Sequence, residues 1–136
     1  MENYPIIPTK FEKAFLDCIA TAKQNPSKFK FCCILFDKRG RVLTKTFQNE
    51  FKTHPTQTKF AKIAKEPFKI FLHAEINALV KCKKQPYGMF ICRVDSDGNL
   101  VNSKPCPICQ LAIDSKGLQI CYFTTNLNTI EMLPCT

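Results

Sequence analysis

The run FKFCCILFD (29–37) is apolar at almost every position, the pattern of a central strand covered on both faces. Lys38-Arg39-Gly40 reads as a short turn, and RVLTKTFQ (41–48) pairs back as a hairpin. Upstream, Phe11, Phe15, Ile19 and Ala22 recur at near-helical spacing and predict an amphipathic first helix ending near Asn25-Pro26. Thr9 opens that helix with a capping-box pattern, Thr-Lys-Phe-Glu. TQTKFAKIAK (56–65) is a short helix ahead of Pro67, and the stretch from His73 to Cys82, apolar nearly all round, is a buried one. YGMFICRV (87–94) follows as a strand, DSDGN as a turn, PCPICQLAI (105–113) as a helix start, and LQICYFTT (118–125) and TIEML (129–133) as strands. Only Asn126-Leu127-Asn128 separate the last two strands, too few residues for a helical crossover, so they should be antiparallel. The order predicts an α/β fold: a three-layer α/β/α sandwich around one mixed five-stranded sheet, in a single domain spanning 1–136.

Composition narrows the class. A chain that is 45% hydrophobic and 23% charged folds rather than staying disordered. No apolar run approaches the roughly 20 residues of a membrane span. The segment MENYPIIPTKFEKAF carries acidic residues and no signal-peptide core, so the expected compartment is the cytoplasm. The net charge of +9 is uneven: residues 1 to 84 hold 17 Lys/Arg against 7 Asp/Glu, residues 85 to 136 hold 3 against 4. Such a field favours anionic partners such as a nucleotide phosphate, nucleic acid or an acidic surface, although no long basic run is present. Of nine cysteines, Cys32, Cys33, Cys92 and Cys121 lie within apolar runs and read as small hydrophobes. Cys106 and Cys109 alone have ligand spacing, which in a reducing compartment points to metal or redox chemistry.

The stretch LHAEINAL (72–79) places His73 and Glu75 two residues apart among apolar neighbours. In mid-helix these positions point in nearly opposite directions, and a lone buried carboxylate is costly. At the very start of a helix the objection lapses, because ring and carboxylate can converge off the end. In PCPIC, Cys106 suits an N-cap, Pro107 the first helical position and Cys109 the third. Both sulfurs then sit at the positive end of a helix dipole, where thiolates are favoured. His73, Cys106 and Cys109 are three ligands suited to Zn²⁺, leaving a fourth position for water. Cys82 is too far along its helix to join them, whereas Cys121 stays open as the fourth ligand of a closed structural site. Such a site would leave Glu75 without a purpose. A thioredoxin-like reading of C-x-x-C would leave His73 unexplained.

His73-Ala74-Glu75 with Pro105-Cys106-x-x-Cys109 resembles the H-x-E…P-C-x-x-C signature of the cytidine/deoxycytidylate deaminase superfamily, and the element order is similar over nearly the whole chain. The resemblance implies that His73, Cys106 and Cys109 hold zinc. It implies that Glu75 takes a proton from the attacking water and delivers protons to the ring nitrogen and the departing ammonia. Asn49 is similar in place to an asparagine that contacts sugar or base, and Ala74 to a residue whose backbone N–H meets the base carbonyl. Asn77 completes His-Ala-Glu-x-Asn-Ala, a run similar to that of deoxycytidylate deaminases, while the short antiparallel ending is more like cytidine deaminases. The expected activity is hydrolytic deamination of the cytosine base of a free nucleoside or nucleotide by a homo-oligomer, with Lys52 and Lys69 as candidate phosphate contacts. A base within single-stranded DNA or RNA is the alternative substrate. A zinc-stabilised nucleic-acid-binding module without catalysis is a third reading, against which Glu75 argues.

Overall fold

A computed structural model describes residues 7–26, 30–47, 49–69, 71–127 and 129–134, the side chains of 49–51 and 134 aside. Phe29, Gln48 and Asn128, at the ends of expected strands and in the last expected turn, lie outside the described residues. The elements run α1 (Thr9–Gln24), β1 (Lys30–Phe36), β2 (Val42–Thr46), β3 (Asn49–Thr53), α2 (Pro55–Ile63), β4 (Phe71–Leu72) and α3 (Ala74–Lys81). They continue as β5 (Gly88–Val94), β6 (Leu100–Val101), α4 (Pro107–Lys116), β7 (Ile120–Thr124) and β8 (Ile130–Pro134).

The main sheet has the order β2-β1-β5-β7-β8. β5 and β7 are parallel, joined through α4, and the other neighbours are antiparallel, including β7 with β8 as the short link requires. Strand alternation divides the core in two. Cys32, Ile34, Phe36, Phe90, Cys92 and Tyr122 face α1, which meets them with Phe11, Ala14, Phe15, Cys18 and Ala22. Cys33, Leu35, Met89, Ile91, Cys121 and Phe123 face the other way, into a cluster with Ile76 and Leu79 of α3, Ile108 and Ile113 of α4, and Phe60 of α2. The cysteines in the strands are therefore packing residues. On the α1 side the rings form a ladder, with centroids 4.6 Å apart for Phe11–Phe36, 4.8 Å for Phe36–Phe90 and 4.9 Å for Phe90–Tyr122. Such pairs contribute about 0.5–1.5 kcal/mol each beyond the area they bury.

Three details differ from the expected plan. The sheet has a sixth member, the two-residue β6, which pairs with β5 where the DSDGN turn folds back. A separate two-stranded sheet joins β3 to β4, with Asn49 opposite Leu72. Thr9 is not a cap: Pro8 holds the N-cap with ψ 137°, no side chain caps the helix, and Thr9 is already its first residue. A threonine in helical conformation cannot reach forward as an N-cap does, so the capping box does not form.

Gly88 sits where three strands crowd. A Cβ there would lie 2.5 Å from Phe36 Cζ and 2.7 Å from Ile120 Cγ2. Gly88→Ala should lower stability by about 1–3 kcal/mol, seen as a lower urea midpoint. An unchanged midpoint would contradict the register of β1, β5 and β7.

Candidate active site

Two helix starts converge on the face of the sheet opposite α1. His73 is the N-cap of α3, with φ −73° and ψ 155°, and Glu75 is the second helical residue. Cys106 is the N-cap of α4, with φ −69° and ψ 167°, followed by Pro107 at the first position and Cys109 at the third. α3 and α4 pack against each other, so their starts are neighbours. His73 Nδ1 lies 3.3 Å from Cys109 Sγ and 3.6 Å from Cys106 Sγ. The ligand atoms of the three residues all fall within 4.8 Å of one another. One nitrogen and one sulfur on a tetrahedral zinc would be about 3.6 Å apart, given usual bond lengths. The donor set and its spacing fit that ion.

Among the described residues no fourth His, Cys, Asp or Glu joins this group. Cys121 is buried on β7 within the apolar cluster. Cys82 caps the far end of α3, where its thiol donates to the Lys84 carbonyl at 3.2 Å. The fourth-ligand role left open for Cys121 is therefore not supported by its placement.

The electrostatics show how the group behaves when its sulfurs must share protons. Cys106 is lowered to about 4, first by a hydrogen bond from Cys109 and then by His73 against the cost of burial. Cys109 is pushed well above the ordinary thiol range by that same hydrogen bond and by burial. The imidazole of His73 is raised, chiefly by its contact with Cys106. Burial raises the Glu75 carboxyl above its ordinary value, opposed by the facing charge of His73. One negative charge is shared by two thiols, and a divalent cation would let both ionise.

Residues outside the motif hold these parts in place. The His73 backbone N–H donates to Gln57 Oε1 at 3.3 Å, and Gln57 Nε2 donates to the Lys69 carbonyl at 3.1 Å. Gln57 is fully buried, so α2 clamps the chain entering α3. Thr46 Oγ1 donates to the Ala74 carbonyl at 2.7 Å, and Asn77 Nδ2 to the Phe47 carbonyl at 3.2 Å. Asn77 therefore anchors α3 to the β2–β3 connection. Ahead of Cys106, buried Ser103 donates to the Ile91 carbonyl and accepts from the Thr124 N–H, each at 2.8 Å. This fixes the approach to α4 beyond the point where β5 and β7 stop pairing, at Ile91 and Phe123.

A cavity of about 280 Å³ opens at the cluster, lined by Phe31, His73, Glu75, Arg93, Ser103, Lys104 and Cys106. Glu75 is only 6% exposed, and it stands beside the ligand cluster without belonging to it. The N–H of Ala74, at the first position of α3, has no acceptor within its own helix. The side chain of Asn49 lies outside the described residues. Neither Lys52 nor Lys69 lines the cavity, and Lys69 pairs with Glu66 at 3.0 Å. His54 is the N-cap of α2, its Nδ1 accepting from the Thr56 N–H at 3.1 Å. A larger cavity of about 380 Å³ lies at the opposite end of the strands, among Asp37, Arg39, Arg41 and Tyr87, and holds no thiol or imidazole.

Phe31, Arg93 and Gln57 carried no site role in the sequence. The signal for Arg93 was a lone cation inside the apolar strand MFICRV; Gln57 looked like an ordinary polar helix position. No curated protein matches the chain in a sequence comparison. A family model described as the cytidine and deoxycytidylate deaminase zinc-binding region matches residues 8–125, from the residue before α1 to the residue after β7. With the His-Cys-Cys cluster and its neighbouring glutamate inside the matched span, the chain belongs to the cytidine and deoxycytidylate deaminase zinc-binding family.

Proposed function

We propose that the protein is a zinc-dependent hydrolytic deaminase of the cytosine base in a free nucleoside or nucleotide, giving the uracil product and ammonia. The observation that carries this reading is Glu75, a buried carboxylate lining the cavity beside a three-residue ligand set and outside it. A structural metal site has no use for such a group. His73, Cys106 and Cys109 would hold the ion, and zinc when bound supplies Lewis acidity that activates water near neutral pH. Glu75 accepts a proton from the attacking water as the new C–O bond forms at C4 of the base, and passes it to the ring nitrogen. It then carries the second proton to the amino group, so that the C–N bond breaks and ammonia departs. The raised affinity of Glu75 for a proton suits that traffic. The Ala74 N–H, free of an acceptor in its helix, is available to the base carbonyl.

The cavity of about 280 Å³ is near the lower bound of roughly 300 Å³ for small-ligand sites, which supports a mononucleoside or mononucleotide over a long strand. Exposed Phe68 and Phe71, at 73% and 50%, lie in a lysine-containing segment just ahead of His73 and favour the second reading, a base within single-stranded nucleic acid. An ammonia-release panel separates them: cytosine, cytidine, deoxycytidine, their monophosphates, guanine, single-stranded DNA and tRNA, compared by kcat/KM. The free cytosine compounds should lead. Turnover of DNA or RNA alone, falling steeply with salt, would overturn the proposal.

Metal-replete protein should contain about one zinc per chain, as expected for a single three-ligand site. Cys106→Ala and Cys109→Ala should each lose it on elemental analysis. Full retention by both variants would show that the ligands are misassigned.

Glu75→Gln should keep the metal and the fold while losing roughly 10²–10⁴-fold in kcat or more, because one group serves several proton transfers. A Glu75→Gln protein of normal activity would refute the proton-carrier role, and loss of zinc from it would make Glu75 a ligand.

A further inference from the structure

Two adjacent inner strands, β1 and β5, carry a row that changes character along its length. On the α3–α4 side, β1 presents Leu35 and Cys33, and β5 presents Met89 and Ile91, all fully buried. Two residues further on, the same alternation brings Phe31 and Arg93 to that face, where they stand directly opposite each other in the antiparallel register. Here the apolar row emerges into the cavity beside His73, Glu75 and Cys106. The guanidinium carbon of Arg93 lies 5.2 Å from the centre of the Phe31 ring. Its backbone N–H is fixed by Thr124 Oγ1 at 3.1 Å.

An arginine at an inward position costs desolvation unless something answers its charge. Among the described residues the ion pairs are Asp37–Arg41, Asp17–Lys45 and Glu66–Lys69, and Arg93 is in none of them. Glu75 shares the cavity without pairing to it. Exposed Lys104 is the cavity's second cation. Residues 85 to 136 contain only Arg93, Lys104 and Lys116 as Lys or Arg, and two of these three line this one cavity. The basic excess of residues 1 to 84 does not explain that placement.

We propose that Arg93, seated on the Phe31 ring and assisted by Lys104, recognises a phosphate on the substrate, so that the site selects a cytosine nucleoside monophosphate over the nucleoside. This rests on the deaminase reading and narrows its substrate class. A guanidinium offers a planar fork matching two phosphate oxygens, and stacking on an aromatic ring fixes the plane in advance. The phosphate supplies the counter-charge that no ion pair among the described residues gives Arg93.

The test is calorimetric binding to zinc-loaded Glu75→Gln protein, with and without Arg93→Gln or Arg93→Lys. The ligands are cytidine, deoxycytidine, their 5′-monophosphates and ribose 5-phosphate. The monophosphates should bind about 10- to 100-fold more tightly than the nucleosides, the range of charge-assisted hydrogen bonds. Arg93→Gln should collapse that ratio toward one, and Arg93→Lys should restore part of it. Equal losses for nucleoside and monophosphate would make Arg93 a mere wall of the cavity and overturn the proposal, as would a ratio unchanged by Arg93→Gln. Binding of ribose 5-phosphate that depends on Arg93, without deamination of any cytosine compound by the protein with Glu75 intact, would uphold the phosphate site while removing the deaminase reading. The converse, deamination indifferent to phosphate, would remove the phosphate site alone.

Discussion

Two thiols and an imidazole crowded within 4.8 Å cannot all take the charge state that each would choose alone. Hydrogen bonds from Cys109 and His73 leave Cys106 ionised against the cost of burial, and the Cys109 hydrogen bond together with burial keeps the proton on Cys109. The arrangement becomes consistent when a dication replaces the shared proton, because both sulfurs then ionise and their charges cancel that of the metal. Much of the fold exists to maintain that crowding. The starts of α3 and α4 must meet, so β4 and the Ser103 loop must deliver the chain to the same end of the sheet. Gln57, Thr46, Asn77 and Thr124 supply the hydrogen bonds that hold those deliveries.

The division of labour between the faces of the sheet follows. The α1 side, among the described residues, is a continuous apolar and aromatic layer that holds none of the residues of the candidate site. The other side begins as an equally apolar layer and ends, past the helix starts, in Phe31 and Arg93. A cavity placed there has helix N-termini, a carboxylate and cations around it without any break in the core behind it. His73 and Cys106 at the N-caps, and Glu75 and Cys109 in the first turns, are thus held by α3 and α4, which limits their motion relative to one another.

The parts readable in the sequence were those encoded locally. H-A-E and P-C-x-x-C each specify a helix start over three to five residues, so Cys106 at the N-cap and Pro107 at the first position followed from their own chemistry. The antiparallel β7–β8 pair followed from a link too short for anything else. What escaped is non-local. β3 meets β4 across the whole of α2, and β4 is two residues long, too short to show any alternation. Gln57 became a buried clamp only once α2 packed against α3 and α4, and nothing in TQTKFAKIAK sets it apart from its polar neighbours. Thr9 misled because a capping-box pattern is blind to the preceding proline, which took the N-cap.

The catalytic reading requires an open metal site served by a carboxylate that is not a ligand. Zinc-edge X-ray absorption on the metal-replete protein reads this directly. The expected spectrum has two sulfurs at about 2.3 Å and two nitrogen or oxygen neighbours at about 2.0–2.1 Å, one of them exchangeable solvent. A shell of three or four sulfurs would mean a closed structural site and contradict the catalytic role assigned to this end of the sheet.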